Sequence, residues 1–132
     1  MKQVKVYSFK NCSTCQKSIK FLNSKKISFI EIPIVDEPPS LKELKQMLGF
    51  IEMSGGTFKN LFNSSGVQYR ELNISQKLKD GMTSGQALTL LSKNGKLIKR
   101  PFLLTDKGGA VGFKEEIWKE LTFLLQPGDS QN

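Results

Sequence analysis

Two cysteines three positions apart, Cys12 and Cys15, constrain this chain more than any other feature, because they are its only cysteines and it has no histidine. They follow a β-branched and aromatic run, Val4-Lys5-Val6-Tyr7-Ser8-Phe9, which reads as a short strand stopping at Lys10-Asn11. A helix is expected next, from about Thr14 to Lys25, with Asn11 or Ser13 available to cap it. Backbone N–H groups at a helix start, with the dipole behind them, favour a thiolate over a thiol. Cys12 stands at or before the first helical position, where that field is strongest and solvent has access. Cys15 shares a face with Ile19 and Leu22 and is expected to be more buried. The asymmetry divides the labour: Cys12 attacks, and Cys15 resolves the mixed disulfide that results.

Other uses of a C-x-x-C pair fit less well. Zinc takes about four ligands, usually Cys and His, and a chain with two Cys and no His cannot supply that set. A site shared by two chains stays open as the lesser alternative, and no resident metal is expected. The absence of His also excludes the Cys–His dyad of a papain-like hydrolase. A structural staple is a poor explanation, since so short a loop removes little entropy from the unfolded chain and cytoplasmic thiols are kept reduced.

The length, 132 residues, suits one domain. Met1-Lys2-Gln3-Val4-Lys5-Val6 lacks the apolar run of a signal peptide. No apolar stretch approaches the roughly 18 residues of a membrane-spanning helix. A cytoplasmic location, with no membrane partner, is the expectation. The net charge of +8 comes from eighteen Lys and two Arg against twelve acidic residues. Arginine, the residue best suited to bidentate reading of guanine and phosphate, is nearly absent, so no sequence-specific nucleic-acid binding is expected. The lysines read as a solvated surface, with an acidic protein or a polyanion as the alternative partner.

Along the rest of the chain, Ile27 to Ile32 reads as a second strand closed by Pro33, and strand–helix–strand in this order implies a parallel pair. After the break Glu37-Pro38-Pro39, Ser40 and Glu43 form a capping box ahead of a helix with Leu41, Leu44, Met47 and Leu48 inward. Turn signals at Ser54-Gly55-Gly56, Ser64-Ser65-Gly66 and Asp80-Gly81 separate short helical pieces up to Lys93, the clearest around Ala87, Leu88, Leu90 and Leu91. Leu97–Leu104 and Ala110–Phe113 read as a hairpin through Asp106-Lys107-Gly108-Gly109. A last helix from about Lys114 to Leu125 is expected to turn Ile117, Leu121, Leu124 and Leu125 inward. Pro127-Gly128 ends it, ahead of a frayed tail from Asp129 to Asn132.

Arg100-Pro101 is the second feature with chemical content. In a thioredoxin-like sheet its strand would lie beside the one leading into Cys12. A cis X-Pro bond is accessible at modest cost, and here it would leave backbone groups near the thiols free for a substrate, with Arg100 in reach of a thiolate or oxyanion. An ordinary strand-starting proline beside an exposed arginine accounts for the spacing equally well.

Three motifs, in order and nearly end to end, resemble the arsenate-reductase-related (ArsC/Spx/YffB) family. They are Tyr7-Ser8-Phe9-Lys10-Asn11-Cys12-Ser13-Thr14-Cys15, then Leu61-Phe62-Asn63-Ser64-Ser65-Gly66-Val67-Gln68-Tyr69-Arg70-Glu71, then Lys99-Arg100-Pro101-Phe102-Leu103-Leu104 with Val111-Gly112-Phe113-Lys114. The resemblance implies a single α/β domain over 1–132: a thioredoxin-like mixed sheet flanked by helices, its core about 1–48 and 94–126, its helical insertion about 54–93. It implies a thiol-disulfide oxidoreductase with Cys12 as nucleophile, Arg100 beside it, and Cys15 doing internally what glutathione does for family members with a lone cysteine. Lys10, Asn11, Ser13, Thr14, Lys59 and Pro101 are the implied substrate- or anion-binding neighbours. Arsenate reductases carry two further arginines, whose positions here hold Lys59 and either Ala110 or Phe113, which argues against arsenate itself. No bound cofactor is implied. A small thiol or disulfide is the expected substrate, glutathione or a thioredoxin-type protein the reductant, and the monomer the working form. The segment around Ser64 and Tyr69 is closer to the reductase-like branch than to Spx. An Spx-like redox-sensing regulator that binds RNA polymerase, through a loop near Ser54-Gly55-Gly56, is the alternative.

Overall fold

Alternation along two short strands sorts the protein into two cores. The computed structural model describes residues 4–125. Strands β1 (Lys5–Ser8), β2 (Ile30–Pro33), β3 (Phe102–Leu104) and β4 (Gly109–Val111) form one sheet in the order β2-β1-β3-β4. β1 runs parallel to β2 and antiparallel to β3, with Tyr7 opposite both Ile32 and Phe102, and β3 and β4 are antiparallel. Successive side chains of a strand point to opposite faces. Val6 and Leu103 therefore meet one helical layer, α1 (Ser13–Ser24) and α6 (Glu115–Leu125), through Leu22 and Trp118. Tyr7, Phe102 and Leu104 meet the other, built from α2 (Leu41–Met53), α3 (Val67–Glu71), α4 (Ile74–Lys79) and α5 (Ser84–Ser92). The result is the mixed α/β architecture of a thioredoxin-like fold, with β1 delivering the cysteines at its C-terminal end and β3 bringing Arg100-Pro101 alongside.

Several boundaries depart from the sequence expectation, each for a local reason. β2 starts at Ile30, not Ile27, because the chain first has to leave α1. Lys26 takes a left-handed φ of 56° and the Ile27 amide donates back to the Leu22 carbonyl at 3.1 Å. Pro33 is the last residue of the strand, not a stop beyond it. The expected strand from Leu97 shrinks to Phe102–Leu104, since Gly95–Leu97 winds a 3₁₀ turn. That stretch pairs with the 3₁₀ turn Phe58–Leu61 instead of the sheet: Asn63 N–H donates to Leu97 O at 2.7 Å, and Lys99 N–H to Leu61 O at 2.8 Å. Gly95 is obligatory there, because a Cβ would collide with the carbonyl oxygen of Ile34. β4 covers Gly109–Val111, not Ala110–Phe113, because Gly112 turns left-handed (φ 77°) and donates its N–H to Pro101 O at 2.8 Å.

Two helix faces are also corrected. In α2 the capping box forms as expected, and Leu44 and Met47 are buried, but Leu41 is 38% exposed and Ile51 is buried instead. The inward position of the first turn is held by Glu43, which takes hydrogen bonds from Tyr7 Oη at 2.6 Å and Lys5 Nζ at 2.8 Å. Its carboxyl is raised by burial, but the hydrogen bonds from Lys5, Tyr7 and the Ser40 amide outweigh that and hold it below the usual range. In α6 Ile117 is 44% exposed and Trp118 is fully buried. The indole N–H donates to Gly112 O at 3.0 Å and the ring packs edge-on to Phe113 at 5.1 Å, which sets the helix rotation one residue later. Leu121 packs on this core. The side chains of Leu124 and Leu125, and the expected stop and tail from Pro127 to Asn132, lie outside the described residues.

Candidate active site

A turn closed by the Cys12 amide on the Phe9 carbonyl, 3.0 Å, carries the chain from β1 into α1. The residue that caps α1 is Cys12 itself, neither Asn11 nor Ser13: its backbone is extended, and its Sγ accepts the N–H of Cys15 at 3.2 Å. The usual caps are oxygen side chains that satisfy an orphan amide of the first turn. Here a half-buried thiol takes that place, so a fixed N–H dipole is aimed at its sulfur. Nothing in the sequence pattern distinguishes a capping cysteine from a capped one, which is why the expected boundary fell one residue late.

Cys15 is fully buried on the inner side of α1, beside the equally buried Ser18, whose hydroxyl donates to Cys15 O at 2.7 Å. Burial pushes the Cys15 thiol up to about 12, and its hydrogen bond to Cys12 adds to the rise, while the Phe9 backbone and the Arg100 charge pull the other way. Both cysteines are free thiols. Ile19, the third member of the expected inward face, is half-buried against Leu22 and Trp118. One thiol thus faces outward at the helix tip and its partner waits behind it in protonated form.

The outward thiol opens into a cleft of about 1000 Å³. Asn11, Ser13 and Thr14 line it on the α1 side, and Arg100 lines the β3 side. The guanidinium of Arg100 lies over the Phe9 ring, 4.8 Å from its centroid, and Nη1 reaches the Lys96 carbonyl at 3.5 Å. The Arg100-Pro101 bond is cis and Pro101 is buried. Besides the buried Cys15 and Pro101, two of the sequence candidates do not line the cleft. Lys10 is exposed on the turn, its carbonyl accepting from Gln16 at 3.4 Å, and Lys59 is exposed on the 3₁₀ turn at 58–61; neither lines the cleft. Ala110 and Phe113, the two alternatives named above for one family arginine, do line it.

The residues of the cleft missed by sequence reasoning include Lys99 and Lys114, and Asn60, Asn63, Ser64 and Ser65. Asn63, Ser64 and Ser65 belong to the middle motif and could have been found by asking what a run of small polar residues is doing in a loop. The lysines carried no signal among eighteen.

Comparison with known proteins agrees with this geometry. The model of the ArsC family matches residues 7–121. A candidate ArsC-family-related protein from Bacteroides fragilis superposes with a TM-score of 0.80 at 42% identity, covering 90% of this chain and 97% of that one. A possible arsenate reductase from Streptococcus mutans gives a TM-score of 0.76 at 29% identity, over 90% and 99% of the two chains. The global transcriptional regulator Spx 1 of Oceanobacillus iheyensis is 32% identical over 86% of this chain and 82% of its own length.

Proposed function

The chain belongs to the ArsC family, and from that premise we propose that it is a thiol-disulfide oxidoreductase working through Cys12 and Cys15 in turn. The observation that carries this reading is the placement of Cys12: its Sγ lines the cleft, accepts the Cys15 amide, and has the Cys15 thiol directly behind it. Cys12 thiolate attacks one sulfur of a substrate disulfide, forming a mixed disulfide and releasing the first substrate thiolate. Cys15 gives up its proton and attacks Cys12 Sγ, which releases the second thiolate and leaves a Cys12–Cys15 disulfide. The substrate has gained two electrons and the protein has lost two. Glutathione or a thioredoxin-type dithiol returns them.

The state of Cys15 times the sequence. While Cys12 is free, burial and the hydrogen bond to Cys12 keep the Cys15 thiol protonated. Once Cys12 is tied up in a mixed disulfide, the part of that rise due to Cys12 disappears, and Cys15 becomes the better nucleophile when it is needed. Arg100 beside the site favours the departing anion. Arsenate is a poor candidate substrate, because Arg100 is the lone arginine of the cleft, Lys59 stands outside it, Ala110 and Phe113 offer no charge, and the lysines that line it lack the planar fork of arginine. A redox titration in glutathione buffers, read by intact mass after thiol trapping, tests the reading. A reversible Cys12–Cys15 disulfide is expected between about −200 and −300 mV. A protein that only ever carries one glutathione, on Cys12, would sink the dithiol mechanism.

One observation favours a second reading. The chain is 32% identical to Spx 1, and its loop Ser54-Gly55-Gly56 follows the most exposed apolar side chain of α2, Met53 at 86%, and contributes Ser54 and Gly56 to the cleft. In this reading the disulfide switches binding to RNA polymerase. Retention of polymerase subunits that changes with the oxidation state of the pair is its test; a pure enzyme shows none.

A further inference from the structure

The cleft carries positive charge with no acidic residue among the described residues to offset it. Lys99, Arg100 and Lys114 all line it, and among the described residues no Asp or Glu does. Among the described residues the ion pairs are Lys5–Glu43 and Lys119–Glu115, so none of these three cations is paired. Lys99 is held in place by the backbone across from it. Its Cε lies 3.0 Å from where a Cβ at Gly112 would be, so the lysine stem crosses the glycine at the end of β4. Lys114 immediately precedes α6, and Trp118 N–H donates to its carbonyl at 3.0 Å. A cation is disfavoured at a helix N-terminus. Glu115 and Glu116 follow in the first turn, but Glu115 is turned along the helix to Lys119 at 3.4 Å and neither lines the cleft.

The other half of the observation is the sheet edge. β4 is an end strand, and Gly109, Ala110 and Val111 all line the cleft. Its outer N–H and C=O groups have no strand partner among the described residues. Exposed edges of this kind take up extended peptides by adding a strand. At the rim, Val67 and Ile117 present exposed apolar side chains.

The geometry points to a protein or peptide disulfide carried on an extended acidic segment as the substrate, lying along the free edge of β4, with Lys99 and Lys114 reading acidic residues that flank its cysteine. Lys99 is then the specificity-determining residue of the site. The inference rests on the oxidoreductase reading and names its substrate class.

Three symmetrical peptide disulfides test it, with Glu-Cys-Glu, Gln-Cys-Gln and Lys-Cys-Lys as their cores. Each is mixed in single turnover with the reduced protein, which becomes the Cys12–Cys15 disulfide as two peptide thiols are released. Rates are normalised to those with dithiothreitol to remove the peptides' intrinsic reactivity. The acidic peptide is expected to react about tenfold faster than the neutral one and the basic peptide slower, with the spread collapsing at high salt. Lys99→Gln lowers the acidic-to-neutral ratio about two- to fivefold, on the scale of one exposed ion pair. Lys99→Arg restores it, and Lys45→Gln on α2, away from the cleft, leaves it unchanged. N-methylation of the acidic peptide beside its cysteine slows it, because the edge loses a hydrogen bond. Equal rates for the three peptides, or a ratio indifferent to Lys99→Gln, would overturn the substrate class and leave the oxidoreductase reading standing. If no peptide disulfide or small disulfide oxidises the reduced protein, both fall together.

Discussion

The two faces of the sheet are built to different standards. The face under α2–α5 holds the larger core, with Leu44, Met47, Leu61, Ile74, Leu91, Leu97 and Ile98 all fully buried. Among the described residues, the hydrophobic cluster under α1 and α6 is smaller: Val4, Val6, Leu22, Ile27, Leu103 and Trp118. The thiols belong to the helix of the smaller face, while Phe50, Ile51, Asn60 and Phe62 of the larger one also line the cleft. The difference teaches a division between holding and reacting: the helical layer over β1 and β3 supplies most of the burial that fixes the sheet, which frees α1 to begin with a sulfur cap.

The sharpest way to break that comparison is Cys12→Ser. Turnover is expected to fall to background, about 10³-fold or more, the scale on which loss of a nucleophile acts. Because serine is a favoured cap, melting is expected to stay at the wild-type value or rise slightly. Strong destabilisation would show that the thiol is structural after all. Next in size is Leu91→Ala in the larger core, expected to cost about 2–5 kcal/mol in denaturant unfolding. The midpoint of the Cys12–Cys15 couple should not move with it; a parallel shift would show that the two faces are not independent.

Glu43→Gln sharpens the same line at the hinge between α2 and β1. Its carboxyl is held below the usual range in the folded protein, so its contribution is present above the unfolded value of about 4.3 and is lost as pH falls through the folded one. The substitution is expected to cost about 2 kcal/mol at pH 7, the scale of hydrogen bonds to a charged group. The gap to wild type should narrow in unfolding measurements below about pH 4; a gap constant with pH would mean that the charge contributes nothing. The smallest effect is Trp118→Phe, about 1 kcal/mol for the lost bond to Gly112. Alone among these substitutions it should alter both stability and the rate of disulfide reduction, because Gly112 and Phe113 line the cleft.

Much of this was legible in the sequence, and the failures share a cause. The Cys12–Cys15 pair, the Ser40–Glu43 box and the Asp106–Gly109 hairpin are local signals, each decided within a few residues. There the Thr105 hydroxyl accepts the Gly108 and Lys107 amides at 3.0 Å, as a tight turn requires. What could not be read was decided by partners far along the chain. Leu41 yields its inward place to Glu43 because Lys5 and Tyr7 stand opposite. Ile117 yields to Trp118 because Gly112 offers a carbonyl. Leu97 leaves the sheet for the chain around Asn63. Lys99 and Lys114 were invisible for the same reason, since only folding sets them in the cleft while leaving Lys10 and Lys59 outside.

Trp118 is the only tryptophan of the chain. Its indole is sealed from water, hydrogen-bonded to one residue of the cleft and packed edge-on against the next. Its emission therefore comes from a single, dry environment that shares atoms with the binding wall. Ligand entry that displaces Phe113 or Gly112 becomes an optical signal without any label, and the occupancy of the cleft can be followed on the stopped-flow timescale by colour and intensity alone.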